Sequence, residues 1–205
     1  MTLRDYFVIE NAAETKSEFV DGSMVAMSGG MPEHSLIKTN LTVAIANRLA
    51  GGKCRAYDSD LRIITPKGRV RYPDLSVICG PLQTTPADRV RGTVTNPKVL
   101  FEVLSESSEK VDRLEKLTDY ISIPTLQEYV LVSQSEPRIE ALIRRKDGSW
   151  SVTFAEGLES SIKLKSLKLE IDLKDVYRDV KFGKQKKAST RTPSTKRARQ
   201  SRARV

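Results

Sequence analysis

A single carboxylate interrupts an otherwise apolar run at Val99-Leu100-Phe101-Glu102-Val103-Leu104. A strand apolar on both faces is a buried central strand, so Glu102 must be protonated, ion-paired or bound to a cation, because an unpaired buried charge costs several kcal/mol or more. Upstream, Arg71-Tyr72-Pro73-Asp74-Leu75-Ser76-Val77-Ile78 places a second acid at the entrance of another apolar strand. Neighbouring strands would bring Asp74 and Glu102 together. Converging carboxylate oxygens with room for water suit Mg²⁺ or Mn²⁺, which would activate a water and stabilise charge on a phosphodiester.

Further candidates surround this pair. Glu18 is a third acid from a turn-rich segment, and Asp60 a comparable one. His34, the only histidine, opens a helix, where the helix field favours its neutral form. Asp112, Arg113, Lys116 and Tyr120 recur at i, i+3 and i+4 spacing along a later helix, on or bordering the face opposite Leu114, Leu117 and Ile121. Tyr72, Tyr129 and Trp150 fit core positions better than base-stacking ones.

The order and spacing of several short pieces resemble the PD-(D/E)XK nucleases, and in particular the Uma-type family of restriction endonucleases. They are Glu18-Phe19-Val20-Asp21-Gly22, Pro32-Glu33-His34-Ser35, Ser59-Asp60-Leu61-Arg62, Tyr72-Pro73-Asp74-Leu75, Glu102-Val103-Leu104-Ser105, Asp112-Arg113 with Lys116 and Tyr120, and Glu128-Tyr129-Val130-Leu131-Val132. The resemblance covers about residues 1–180. It implies an α+β, restriction-endonuclease-like core, a central mixed sheet flanked by helices, and metal-dependent cleavage of nucleic acid, DNA before RNA. Asp74 and Glu102 would ligate the metal. The general pattern puts a lysine two residues after the glutamate, and here that position is Leu104. Lys116 is then the candidate replacement, orienting water or stabilising charge on the phosphorane, with Glu18 completing the catalytic set and His34, Asp60, Arg113 and Tyr120 behind it. The alternative is an inactive nuclease-fold protein that binds nucleic acid or a protein partner.

The elements needed to hold these residues are legible in outline. Thr2 and Asp5 cap a short helix to about Asn11. Residues 17–20 and 24–27 flank Asp21-Gly22 as an N-terminal β-hairpin. A helix from Pro32 runs to Gly51-Gly52, with Leu36, Ile37, Leu41, Ala44, Ile45 and Leu49 at helical spacing. Strands are expected at 53–57, 60–65, 74–79, 98–104, 128–133, 138–146 and 149–155. Helices are expected at 108–122, with Val111, Leu114, Leu117 and Ile121 as its apolar stripe, and at 172–177. Helices scattered among many strands indicate a partly antiparallel α+β sheet.

Charge divides the chain. Of 35 Lys and Arg, nine lie in residues 184–205 with no acid among them, leaving 26 cations against the chain's 26 acids. The expectation is a neutral domain at 1–182 and a basic disordered tail at 183–205. In that tail Lys184, Lys186, Lys187, Arg191, Lys196, Arg197 and Arg199 are candidates for nucleic-acid phosphates. Cys54 and Cys79, without CxxC spacing, read as reduced, buried thiols. With no apolar stretch long enough for a bilayer, the chain reads as cytoplasmic, and a homodimer is a candidate assembly because double-strand cutters pair two sites.

Overall fold

The computed structural model describes residues 1–27, 29–105 and 108–182. The tail cations from Lys184 onward lie outside these residues. Helix α1 (Leu3–Ala12) starts from a reciprocal capping box, the Thr2 hydroxyl accepting from the Asp5 N–H while the Asp5 carboxylate accepts from the Thr2 N–H. Strands β1 (Ser17–Val20) and β2 (Ser23–Ala26) form the expected hairpin. Its two turn residues, Asp21 and Gly22, both have positive φ, 48° and 82°, as a type I′ turn requires. Strand β1 also pairs with β5 (Val70–Arg71), and β5 with β4 (Ile63–Ile64), giving a small antiparallel sheet of order β2-β1-β5-β4.

The main sheet has six strands in the order β10-β9-β8-β7-β6-β3. They are β3 (Cys54–Asp58), β6 (Leu75–Cys79), β7 (Val99–Leu104), β8 (Glu128–Ser133), β9 (Arg138–Arg144) and β10 (Trp150–Glu156). Only β7 and β8 are parallel. Parallel neighbours need a crossover, and here it contains a π-helical segment, Val111–Lys116, running into α3 (Leu117–Tyr120). Strands β11 (Ser161–Leu164) and β12 (Leu169–Asp172) make a separate hairpin before α4 (Leu173–Val176).

The sheet's two faces bury different cores. Helix α2 (Pro32–Leu49) sets Ile37, Leu41, Ala44, Ile45 and Leu49 against Val99, Phe101 and Val103, with α4 and the β11–β12 hairpin beside it. On the other face Leu100 and Leu104 pack with Tyr120, Ile123, Tyr129 and Leu131. All of β7 is therefore buried, and its even-numbered residues share the face that meets α3. The architecture is the expected α+β fold with a central mixed sheet flanked by helices.

Several expectations need correction. Residues 60–62 form a turn, so the strand expected at 60–65 shrinks to β4; β5, β11 and β12 are too short or too polar to announce themselves. The hairpin at Asp147-Gly148 closes through a longer loop, since β9 and β10 pair from Arg144 and Trp150 outward. In the crossover helix Leu114 is 58% exposed while Asp112, Asp119 and Tyr120 are buried. The expected apolar stripe is thus not the inward face, because that face serves a charged cluster. Cys54 and Cys79 are joined in a disulfide rather than being free thiols. They sit opposite each other in β3 and β6, next to the hydrogen-bonded Lys53/Gly80 pair, where facing side chains come closest. A separation of 25 residues gives no hint of that register.

Candidate active site

Strands β6 and β7 bring the two principal acids together. Leu75 pairs with Phe101 and Ser76 with Leu100, so the same register carried one residue further sets Asp74 opposite Glu102. Asp74 is tied to the neighbouring strand, its Oδ2 accepting from the Val103 N–H at 2.8 Å. Its Oδ1 lies 3.2 Å from His34 Nε2 and 4.0 Å from Lys38 Nζ, both one turn apart on the first half of α2. Burial works against its ionisation, but the His34 and Val103 hydrogen bonds and the Lys116 charge win, and the carboxyl is held below its ordinary value.

Glu102 experiences the opposite balance. Its Oε1 accepts from the Tyr120 hydroxyl at 2.9 Å and stands 3.0 Å from Lys116 Nζ. Burial raises its carboxyl well above the ordinary range; the Lys116 charge opposes this, while Asp74, Asp112 and Glu18 add to it. Lys116 serves three carboxylates, at 3.0 Å from Glu102, 2.9 Å from Asp112 and 3.9 Å from Glu18. Burial works against its charge. The surrounding acids instead hold its ammonium well above the usual lysine value, which favours its charged form.

A framework of arginines supports this cluster. Arg71 donates to Glu18 at 2.7 Å and to Asp119 at 2.7 Å, and Arg69 reaches Asp119 and Asp21. Glu18 also accepts from the Tyr72 N–H. The hairpin acid is thereby locked against the segment that carries Asp74. The π-helical geometry occurs where Asp112 and Lys116 both turn inward, a helix irregularity common at functional sites.

The candidates named from sequence separate into two groups. Asp74, Glu102, Lys116, Glu18, His34 and Tyr120 form one connected set. Asp60 and Arg113 turn elsewhere: Asp60 is exposed and pairs with Lys16, and Arg113 pairs with Glu109 and Glu140. Tyr72 and Tyr129 are core residues, and Trp150 is half-buried under the Arg144 guanidinium. Arg71, Asp119 and Lys38 join the cluster without having been recognisable from sequence. The one available signal was spacing, Asp119 standing three residues after Lys116 and Lys38 four after His34 on helical faces.

Among the described residues no group of three or more His, Cys, Asp and Glu is arranged to enclose a metal ion. Asp74 and Glu102 offer instead a two-carboxylate donor set, in which Glu102 Oε2 makes no hydrogen bond among the described residues. One or two carboxylates with several retained waters is the ordinary way of holding Mg²⁺, so these residues fit an open site of that kind.

The Uma2 family model, described as "Putative restriction endonuclease", matches residues 3–174. The chain belongs to the Uma2 family. Two uncharacterized proteins of Synechocystis sp. are similar to it. One, slr1290, is 34% identical over 87% of this chain and 92% of its own length; the other, sll1609, is 31% identical over 82% and 95%. A crystal structure titled as a putative nuclease belonging to DUF820, from Anabaena variabilis, superposes with a TM-score of 0.69 at 16% identity, covering 86% of this chain and 97% of that one. At that identity the likeness speaks for the fold. No helix among the described residues is long and apolar enough to cross a membrane.

Proposed function

We propose that this Uma2 protein is a Mg²⁺- or Mn²⁺-dependent endonuclease that hydrolyses phosphodiester bonds in DNA, with Asp74 and Glu102 as metal ligands and Lys116 and Glu18 completing the catalytic set. The observation that carries this reading is Asp74, the residue before β6, in line with Glu102 on β7 by the β6–β7 register, within a buried cluster whose acids outnumber the cations beside them. Facing like charges on paired strands are destabilising, and a divalent cation relieves that repulsion. When bound, the cation lowers the pKa of a coordinated water and stabilises negative charge on phosphate.

The chain's own groups do the remainder. Tyr120 and the Val103 N–H orient the Glu102 and Asp74 carboxylates. Lys116, whose neighbouring acids favour its charged form, orients water and stabilises the negative charge of the phosphorane, standing in for the lysine that Leu104 displaces. Glu18, held by Arg71, keeps Lys116 from collapsing wholly onto Glu102.

The test is cleavage of plasmid and single-stranded DNA with Mg²⁺ or Mn²⁺ by the parent, Asp74→Asn and Glu102→Gln. The parent cuts and both variants lose activity by about a hundredfold or more, consistent with loss of a group acting on the transition state. Equal activity in all three removes the assignment. Leu104, standing where the general pattern has its lysine, favours a second reading, a nuclease fold that binds without cutting. That reading predicts a melting temperature indifferent to Mn²⁺, whereas a cation that binds only the native state raises it.

A further inference from the structure

Two lysines outside this reaction converge on one serine at the edge of the cluster. Lys16, in the segment before β1, holds its ammonium 3.0 Å from the Ser59 carbonyl oxygen and 2.7 Å from the Asp60 carboxylate. Lys38 donates to the Ser59 hydroxyl at 3.2 Å and stands 4.0 Å from Asp74 Oδ1. The Tyr72 ring lies 5.5 Å from the Lys16 ammonium, so the residue two before Asp74 helps to seat it.

Holding two like charges beside each other costs free energy unless an anion answers them. Asp60 answers one, its carboxyl depressed first by the Lys16 hydrogen bond and charge, with Lys38 and Arg91 adding to the field. Among the described residues Lys38 has no carboxylate nearer than Asp74, 4.0 Å away, which the reaction assigns to a cation. Both side chains are about one-third exposed, 35% and 30%, and so are open to a ligand. Arg71, by contrast, is buried among its acids.

We propose that Lys16 and Lys38, anchored on Ser59, form a phosphate-binding subsite for the DNA backbone phosphodiester next to the one held at Asp74 and Glu102. The subsite rests on the nuclease reading. It grips charge and positions the strand without reading bases. Lys38, only 4.0 Å from Asp74 Oδ1 and partly exposed, turns to the phosphate, and the two ammonium groups share its oxygens.

The experiment is binding of a short fluorescent DNA duplex to the full chain, in chelator so that nothing is cut, over a range of salt. The double variant Lys16→Gln/Lys38→Gln is compared with Lys16→Arg/Lys38→Arg and the parent. Each lost phosphate contact lowers the slope of log K against log salt by about 0.9, so the Gln pair is expected to flatten it by between one and two contacts' worth. Binding at low salt should weaken about tenfold or more, and the Arg pair should keep the parent slope. A Gln pair with the parent slope overturns the subsite, as does weaker binding with the slope unchanged. Cleavage by the parent with Mn²⁺ is measured alongside. A parent that cuts while its slope ignores both lysines overturns the subsite alone. A lysine-dependent slope in a chain that never cuts overturns the nuclease reading and leaves a binding subsite.

Discussion

At Lys116 a single ammonium is shared by Glu102, Asp112 and Glu18. Removing one partner of a buried ionic group is costlier than exchanging the whole group, so Lys116→Gln should lower unfolding free energy by about 3–5 kcal/mol in urea titrations. Glu102→Gln should act in the other direction. Its carboxyl is raised above the unfolded value, so at neutral pH the charged form is the one folding disfavours, and a neutral isostere should raise the melting temperature while abolishing cleavage. Asp88 provides a pH-dependent contrast. Burial opposes its charge, but the Thr93 hydroxyl, the Arg91 N–H, the Asn11 amide and the Arg62 guanidinium prevail and hold its pKa at about 2. A depressed acid contributes stability that is complete above its unfolded pKa of about 4 and is lost as pH falls through 2. Asp88→Asn should therefore cost about 2–3 kcal/mol at pH 7 and much less at pH 2, measured by denaturant melts at both.

Helix α2 links the site to the end of the described chain. Its first half presents His34 and Lys38 to Asp74, and Asn40 on the adjoining stretch donates to the Val176 and Arg178 carbonyls at 3.2 and 2.9 Å. Those carbonyls lie on the last residue of a four-residue helix and just after it, and that helix has little strength of its own. Asn40→Ala should cost about 1–3 kcal/mol by leaving buried acceptors unpaired, and hydrogen exchange should quicken first around α4. The crossover helix is the element whose inward face the hydrophobic pattern misrepresents. Apolar periodicity marks Leu114, yet the buried face carries Asp112, Lys116, Asp119 and Tyr120. A helix that lines a charged cluster turns its polar side inward, which periodicity alone cannot distinguish from a solvated one.

For the molecule as a whole, the balanced charge of residues 1–183 leaves Lys16 and Lys38 as local cations in a stretch without net charge. Truncation after Phe182 removes nine cations and no acid, and should weaken DNA binding and flatten its salt dependence while leaving the melting temperature unchanged; an unaltered slope would mean the tail is not a binding element. The α+β class, the capped first helix, the Asp-Gly hairpin, helix α2 and the buried strand β7 with its lone acid Glu102 were all legible in the sequence. Each of these rests on a local pattern: a cap, a turn dipeptide, a period, or one acid in an apolar run. Contacts between distant residues, which no local pattern announces, put Asp74 in register with Glu102, set Lys116 against Glu102 and Asp112, brace Glu18 through Arg71 and Asp119, and face Cys54 with Cys79. Those are matters of strand register and of contacts between residues far apart in the chain, set by how the sheet pairs and not by any neighbouring residues.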